Sequence, residues 1–224
     1  MRIAWLAVLA LAALATTGTA AEDDRLWTLL KGGGQVIMIR HAITTPGVGD
    51  PPAMRLDDCR TQRNLTDQGR ADARRVGAAL RARGIRVDRV LSSPWCRCLE
   101  TARLAFAAPE TWAPLGNLYG RPELRDEQVQ QTQSTLSEPH PGGNVVLVSH
   151  GSTISAVTGV SPEPAEMVIV TPQGGGRFAV ARPPQRSLAV SEHEVVTPRE
   201  ATHGGWSTEA AMRPCATVVL EPPR

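Results

Sequence analysis

The chain has 224 residues, long enough for one domain with a sizeable core, and 24 basic against 22 acidic residues give it a formal charge of only +2. Lys31 is its sole lysine, and the arginines are scattered among the acids with no basic run interleaved by aromatics, so nucleic acid is not an expected partner. Four cysteines (Cys59, Cys96, Cys98, Cys215) and five unclustered histidines lack the spacing of a metal site, and no metal or cofactor is expected.

The first element is an export signal over 1–20. A short basic start at Met1-Arg2 precedes an apolar run over 3–14 and the small residues of Thr16-Thr17-Gly18-Thr19-Ala20-Ala21. That run is about a dozen residues, whereas a membrane span needs roughly 20, so no stable membrane anchor is expected. The predicted location is periplasmic or secreted. A folded domain is expected over 21–182.

Glycines 32–34 lead into a buried strand over 35–39, too short and too apolar for a helix. A helix follows from Thr66 or Asp67 to about Arg83, with Ala73, Val76 and Leu80 as its apolar stripe and Gly84 as its stop. A second strand is predicted over 87–91. Ser93 then reads as an N-cap and Pro94 as the first turn of a helix carrying Trp95, Leu99, Ala102 and Phe106 on one face and Arg97 and Thr101 on another. Strands over 145–148 and 167–170 and a short helix after His150 complete the pattern. Strands apolar on both faces, alternating with helices, predict an α/β fold with a mainly parallel central sheet. The segments 44–64 and 111–133 read as loops that would set specificity. From about Pro183, prolines and charges rise and periodicity fades, so 183–224 is expected to be a poorly ordered C-terminal extension.

Two of these strands end in histidine. The first continues as Arg40-His41-Ala42 and the third as Ser149-His150-Gly151, which places two imidazoles at the carboxyl edge of the sheet, where α/β folds bind ligands. Arg97, near the start of its helix, adds an anion-binding group. An exported chain can form disulfides; Cys59 pairing with Cys96 or Cys98 is the candidate, and the sequence does not choose between them.

These motifs resemble the histidine phosphatase superfamily, the phosphoglycerate mutase-like group. The likeness rests on Arg40-His41-Ala42 (where the family has Gly third), Leu65-Thr66-Asp67-Gln68-Gly69, Ser92-Ser93-Pro94-Trp95-Cys96-Arg97 leading to Thr101-Ala102, and His150-Gly151. Their order agrees from Gly34 to about Val170, and the stretch 57–65 looks most like an exported bacterial subgroup. The resemblance implies a three-layer α/β/α sandwich. It also implies a metal-independent phosphatase acting on a small phosphorylated substrate through a phosphohistidine.

On that reading His41 is the nucleophile, with a backbone carbonyl as the expected partner of its other ring nitrogen. Arg40 and Arg97 clamp the phosphate bidentately, and a protonated His150 stabilises the transferring group. Arg63, Asn64 and Ser152 are candidate substrate contacts. The carboxylate that many relatives carry after the second arginine is missing from Leu115-Gly116-Asn117-Leu118-Tyr119-Gly120. Glu123, Asp126 and Asp50 are therefore the candidate general acids, and the missing group counts against a mutase. A phosphate-ligand-binding protein without turnover is the alternative. Ser149-His150-Gly151-Ser152 lacks the Gly-x-Ser-x-Gly elbow of a serine hydrolase. Nothing in the sequence specifies an oligomeric state.

Overall fold

The computed structural model of the protein describes residues 24–181. The expected export signal over 1–20, the C-terminal extension over 183–224 and Cys215 lie outside the described residues.

A helix over 24–32 (α1) leads to strand β1 (Val36–Arg40). Helix α2 (Asp67–Ala82), strand β2 (Val87–Ser92), helix α3 (Cys96–Phe106), the short strand β3 (Glu110–Thr111) and helix α4 (Arg125–Ser137) follow. Strand β4 (Asn144–Ser149), helix α5 (Gly151–Thr158) and the hairpin β5 (Met167–Gly174) and β6 (Arg177–Ala181) complete the described chain. The strands form one sheet in the order β3-β2-β4-β1-β5-β6. β3, β2, β4 and β1 run parallel, β5 is antiparallel to β1 and β6 to β5, which confirms the mainly parallel α/β architecture.

Side chains on successive strand residues point to opposite faces, so each central strand feeds two cores. Ile37 and Ile39 of β1, Val146 and Val148 of β4, and Met167 and Ile169 of β5 pack with Leu30 of α1, Ala73, Val76 and Leu80 of α2, and Ala102 of α3. Val36 and Met38, Val145 and Leu147, and Val168 and Val170 pack on the other face with Leu136 of α4 and Ile154 and Val157 of α5. Helices on both faces give the three layers expected.

The Leu-Thr-x-x-Gly segment has a local physical cause. Thr66 is extended at the N-cap of α2, and its Oγ1 accepts the Gly69 N–H at 3.1 Å. Gly69 is needed because a Cβ there would run into the Ile43 carbonyl, so the helix start is pressed against the chain leaving His41.

Three expectations require correction. Ser93 is not the N-cap of α3; Trp95 holds that position and the helix starts at Cys96, because the Ser93 hydroxyl is engaged by His150. The segment 111–133 is not all loop, since it contains most of α4, a polar helix that buries only Thr132, Leu136 and Ser137 and so shows little apolar periodicity. Helix α1 and strand β6 were not anticipated from the sequence.

Candidate active site

The parallel register between β1 and β4 sets Arg40 opposite Ser149, so the next residue on each strand is a histidine at the same level of the sheet edge. The His41 N–H donates to the Ser149 carbonyl at 2.9 Å, and the two rings lie edge to face with centroids 5.4 Å apart. Both line a cavity of about 890 Å³, together with Arg40, Arg63, Arg97 and Asp50.

Each ring's tautomer follows from its partners. His41 Nδ1 lies 2.9 Å from the Ala42 carbonyl, which can only accept, so Nδ1 carries the proton and Nε2 keeps its lone pair. The expected backbone partner for this ring is therefore the next residue's own carbonyl. Burial pulls the His41 pKa down to about 3. The Ala42 hydrogen bond works in the other direction, while the charges of Arg97, Arg40 and Arg63 add to the lowering. His150 Nδ1 faces Arg97 Nη2 at 3.3 Å, which can only donate, and its Nε2 lies 2.8 Å from Ser93 Oγ. Nε2 therefore bears the proton and donates to Ser93. Burial, then His41 and the arginines, hold the His150 pKa well below its usual value. These partners and the burial favour the neutral ring in the unliganded site.

The three arginines come from three places: the end of β1, the loop before α2, and the first turn of α3. Arg97 is fully buried; its Nη1 donates to Asp50 at 2.7 Å. Arg40 Nη1 donates to the Pro162 carbonyl at 2.9 Å, and its guanidinium lies close against Gly151, where a Cβ would stand 3.3 Å from Arg40 Nε. The Nε atoms of Arg40, Arg63 and Arg97 are all buried and find no partner among the described residues. Burial pushes the Arg63 pKa down, with the Arg97 charge acting the same way and Asp50 opposing it. Like charges have thus been gathered with donors left unused, an arrangement complementary to an anion with several acceptor oxygens.

Thr101, one helical turn beyond Arg97, connects that arginine to the nucleophile side. Its Oγ1 donates to the Arg97 carbonyl at 2.7 Å and accepts the Ala42 N–H at 3.1 Å. The residue whose carbonyl holds the His41 ring is thereby held by α3. Ala42 is fully buried and its φ is not positive, so alanine replaces the family's glycine without strain.

Of the other residues predicted from sequence, Ser152 lines the cavity, although its hydroxyl donates to Asn117 Oδ1 at 2.8 Å. Asn64 is not brought to the site: its amide donates to the Cys59 and Gln62 carbonyls and shapes the loop instead. Glu123 and Asp126 do not line the cavity, being exposed at the start of the α4 segment, so Asp50 is the acid among the three candidates that reaches it. Burial raises the Asp50 pKa, but the Arg97 hydrogen bond and charge, with the Arg63 N–H, outweigh it and keep the carboxyl below its ordinary value.

Cys59 pairs with Cys96, which ties the Arg63 loop to the first turn of α3. Cys98 is a free, fully buried thiol beside His150, with its pKa pushed up to about 12 by burial, so it is not a disulfide partner. Sequence reasoning placed Trp95 only on an apolar stripe and missed Ser93, Asn117, Tyr119 and Arg121 as site residues. Ser93 and Trp95 stood inside a recognised motif, but the other three carried no signal of their own.

A family model described as histidine phosphatase superfamily (branch 1) matches residues 36–126, which include Arg40, His41, Arg63 and Arg97. No curated protein matches the chain. Among solved structures, the product of the open reading frame Rv3214 of Mycobacterium tuberculosis is 19% identical with a TM-score of 0.50, the match covering 66% of this chain and 95% of that one. A phosphoserine phosphatase variant from Entamoeba histolytica, solved with phosphoserine, is 13% identical with a TM-score of 0.51 over 70% of this chain and 99% of that one. The family model is confined to residues 36–126, and the solved structures show that the fold is shared.

Proposed function

We propose that the chain is a phosphatase that hydrolyses a phosphate monoester or phosphoramidate through a phosphohistidine on His41, outside the cytoplasm. The observation that carries this reading is the convergence of three guanidinium groups, each with a buried Nε–H that has no partner among the described residues, around a neutral His41 whose Nε2 lone pair is free. A phosphate monoester carries about −1.5 to −2 charges near neutral pH. Arg40, Arg63 and Arg97 against Asp50 leave an excess of two positive charges to meet it.

In the first step Nε2 attacks phosphorus in line, forming the P–N bond as the bond to the leaving oxygen or nitrogen breaks. The arginines hold the equatorial oxygens, and the positive charge they supply removes the need for a metal. The approach of a dianion also favours proton uptake by His150, which would then donate to those oxygens. In the second step water attacks phosphorus, the P–N bond breaks, and His41 is regenerated with release of phosphate.

Asp50 is the proposed proton donor to the leaving group. Its low pKa depends on Arg97, and a phosphate that takes over the Arg97 guanidinium removes that partner and adds a negative neighbour, both of which raise the carboxyl pKa. Arg63 joins the clamp and Ser152 is a secondary contact. Export is supported by the sequence over 1–20 and by the Cys59–Cys96 disulfide, which suits an oxidising compartment. The likeness of 57–65 to an exported bacterial subgroup agrees with it.

The test is acid-quench and alkaline-quench trapping with a labelled aryl phosphate. Wild type should give a base-stable, acid-labile phosphoenzyme, and His41→Ala should give none, with turnover down by at least ~10⁴-fold. A second reading, a phosphate-binding protein without turnover, is motivated by the ion-paired state of the one cavity carboxylate. His41-dependent release of phosphate would reject it.

A further inference from the structure

At about 890 Å³ the cavity is much larger than one phosphate, so the group that bears the phosphate also lies within it. Its wall includes Asn117 and, from α5, Ser152 and Ser155, all uncharged. Partners assign the protons of the first two. The Tyr119 backbone N–H, which can only donate, lies 3.1 Å from Asn117 Oδ1 and so fixes which end of the carboxamide is oxygen. The Ser152 hydroxyl lies 2.8 Å from the same oxygen and donates its only proton there. Ser152 Oγ is therefore left with lone pairs alone and can only accept. Asn117 Nδ2 keeps both of its N–H groups, since it bonds no described residue, and it is not sealed from solvent as the Trp95 indole N–H is.

The wall thus offers a donor and an acceptor as neighbours. A hydroxyl matches both, because it accepts from Nδ2 and donates to Ser152 Oγ. A carboxylate or a second phosphate matches only the donor: it brings no proton for the serine and sets its own lone pairs against it. A hydrocarbon would leave both groups without partners. The pair is also held in place. Ser149 Oγ donates to the Leu115 carbonyl at 2.7 Å and Thr153 Oγ1 to the Gly116 carbonyl at 2.6 Å, which anchors the residues before Asn117 to the end of β4 and the first turn of α5. Ser155, one turn further along α5, and Ser161, whose hydroxyls are 3.2 Å apart, continue the uncharged wall.

We infer that Asn117 and Ser152 are specificity-determining residues that read a free hydroxyl on the group bearing the phosphate, and that the substrate is accordingly a phosphorylated polyol. This rests on the proposed phosphate site at His41 for the placing of the phosphate, though not on turnover.

Calorimetric titration of the full chain carrying His41→Ala, which lacks the nucleophile and leaves the probes intact, tests it at fixed ionic strength. The probes are two matched pairs, glycerol phosphate with propyl phosphate and a hexose monophosphate with cyclohexylmethyl phosphate, and phosphoglycolate as the carboxylate. The expected result is roughly fivefold or more tighter binding of one or both hydroxylated probes than of the matched hydrocarbon probe, with phosphoglycolate no tighter than propyl phosphate. Adding Asn117→Ala or Ser152→Ala should bring the ratio within the pair close to one. Ser152→Ala, which leaves the Tyr119 bond to Asn117 in place, decides the matter should Asn117→Ala not fold. Equal affinities within both pairs, tightest binding of phosphoglycolate, or variants that weaken both members of a pair alike would overturn the inference and leave Asn117 as a brace of its own turn. Turnover of p-nitrophenyl phosphate by wild type is scored separately. Hydroxyl preference without turnover would sink the catalytic reading and spare this one, and failure to bind any probe would sink both.

Discussion

The floor and the mouth of the cavity are built by different means. The floor is delivered by β1, β4 and the first turn of α3, and its two imidazoles are held by the Ala42 carbonyl and by Ser93 and Arg97. The mouth is made of the connections around 47–54 and 117–121, with Val48 and Tyr119 exposed and Arg121 unpaired. Sheet register and burial hold the chemistry in place, while the recognition groups sit on segments whose geometry owes less to the sheet.

The disulfide ties the Arg63 loop to the floor, and removing it is the strongest way to break the contrast. Cys59→Ser with Cys96→Ser opens a link across 37 residues, and the chain-entropy model puts the loss at about 4 kcal/mol. The denaturation midpoint should fall accordingly, and KM should rise as the Arg63 loop loosens from α3. A KM that stayed level while stability dropped would show that the loop's own hydrogen bonds hold Arg63 without the disulfide.

Asp50 lies between floor and mouth. Asp50→Asn should lower kcat for an alkyl phosphate by ~10²-fold and for a p-nitrophenyl ester much less, because the latter's oxygen leaves without a proton. Equal losses for both would assign Asp50 to holding Arg97 instead.

Thr101→Val probes the floor. It strands the buried Ala42 N–H and should cost about 1–3 kcal/mol in stability. It should also reduce kcat, since Ala42, whose carbonyl orients His41, loses its tie to α3; Thr101→Ser should restore most of both.

The smallest effect is a slope with pH. His41 and His150 have folded-state pKa values depressed below the unfolded value near 6.5. The unfolded chain therefore takes up protons first as pH falls. The stability that the two neutral rings contribute is complete above about pH 6.5. It declines as pH drops towards 3, by up to about 1.4 kcal/mol per pH unit for each ring. Urea midpoints compared at pH 7.5 and 5.0 measure it, and a flat profile would mean that the rings titrate alike in the folded and unfolded chain.

The same division decides what could be read before the fold was known. Short apolar runs ending in histidine are legible, because a strand buried on both faces has no other composition. Their register also follows once both carry their histidine one residue past the end. Arg97 was legible through its place after a Ser-Pro start, even though Ser93 turned out to serve His150. The charge of His150 was not, because it depends on which donor faces each ring nitrogen. Asn64 was misplaced because an amide that caps its own loop looks no different in sequence from one that points at a ligand. Helix α4 buries too few residues to announce itself, and Arg121 acquires meaning only from the indole it lies against.

The pairing of Arg40 with Ser149 carries one more consequence. Adjacent strands can shift against each other only in whole residues, each worth about 3.3 Å, and an odd shift turns every side chain to the opposite face. A one-residue insertion in β1 or β4 would therefore send one imidazole into the helical layer instead of merely detuning it. Changes of length in descendants of this chain should accumulate in the rim segments, where a new ligand shape can be accommodated, and be nearly absent from these two strands.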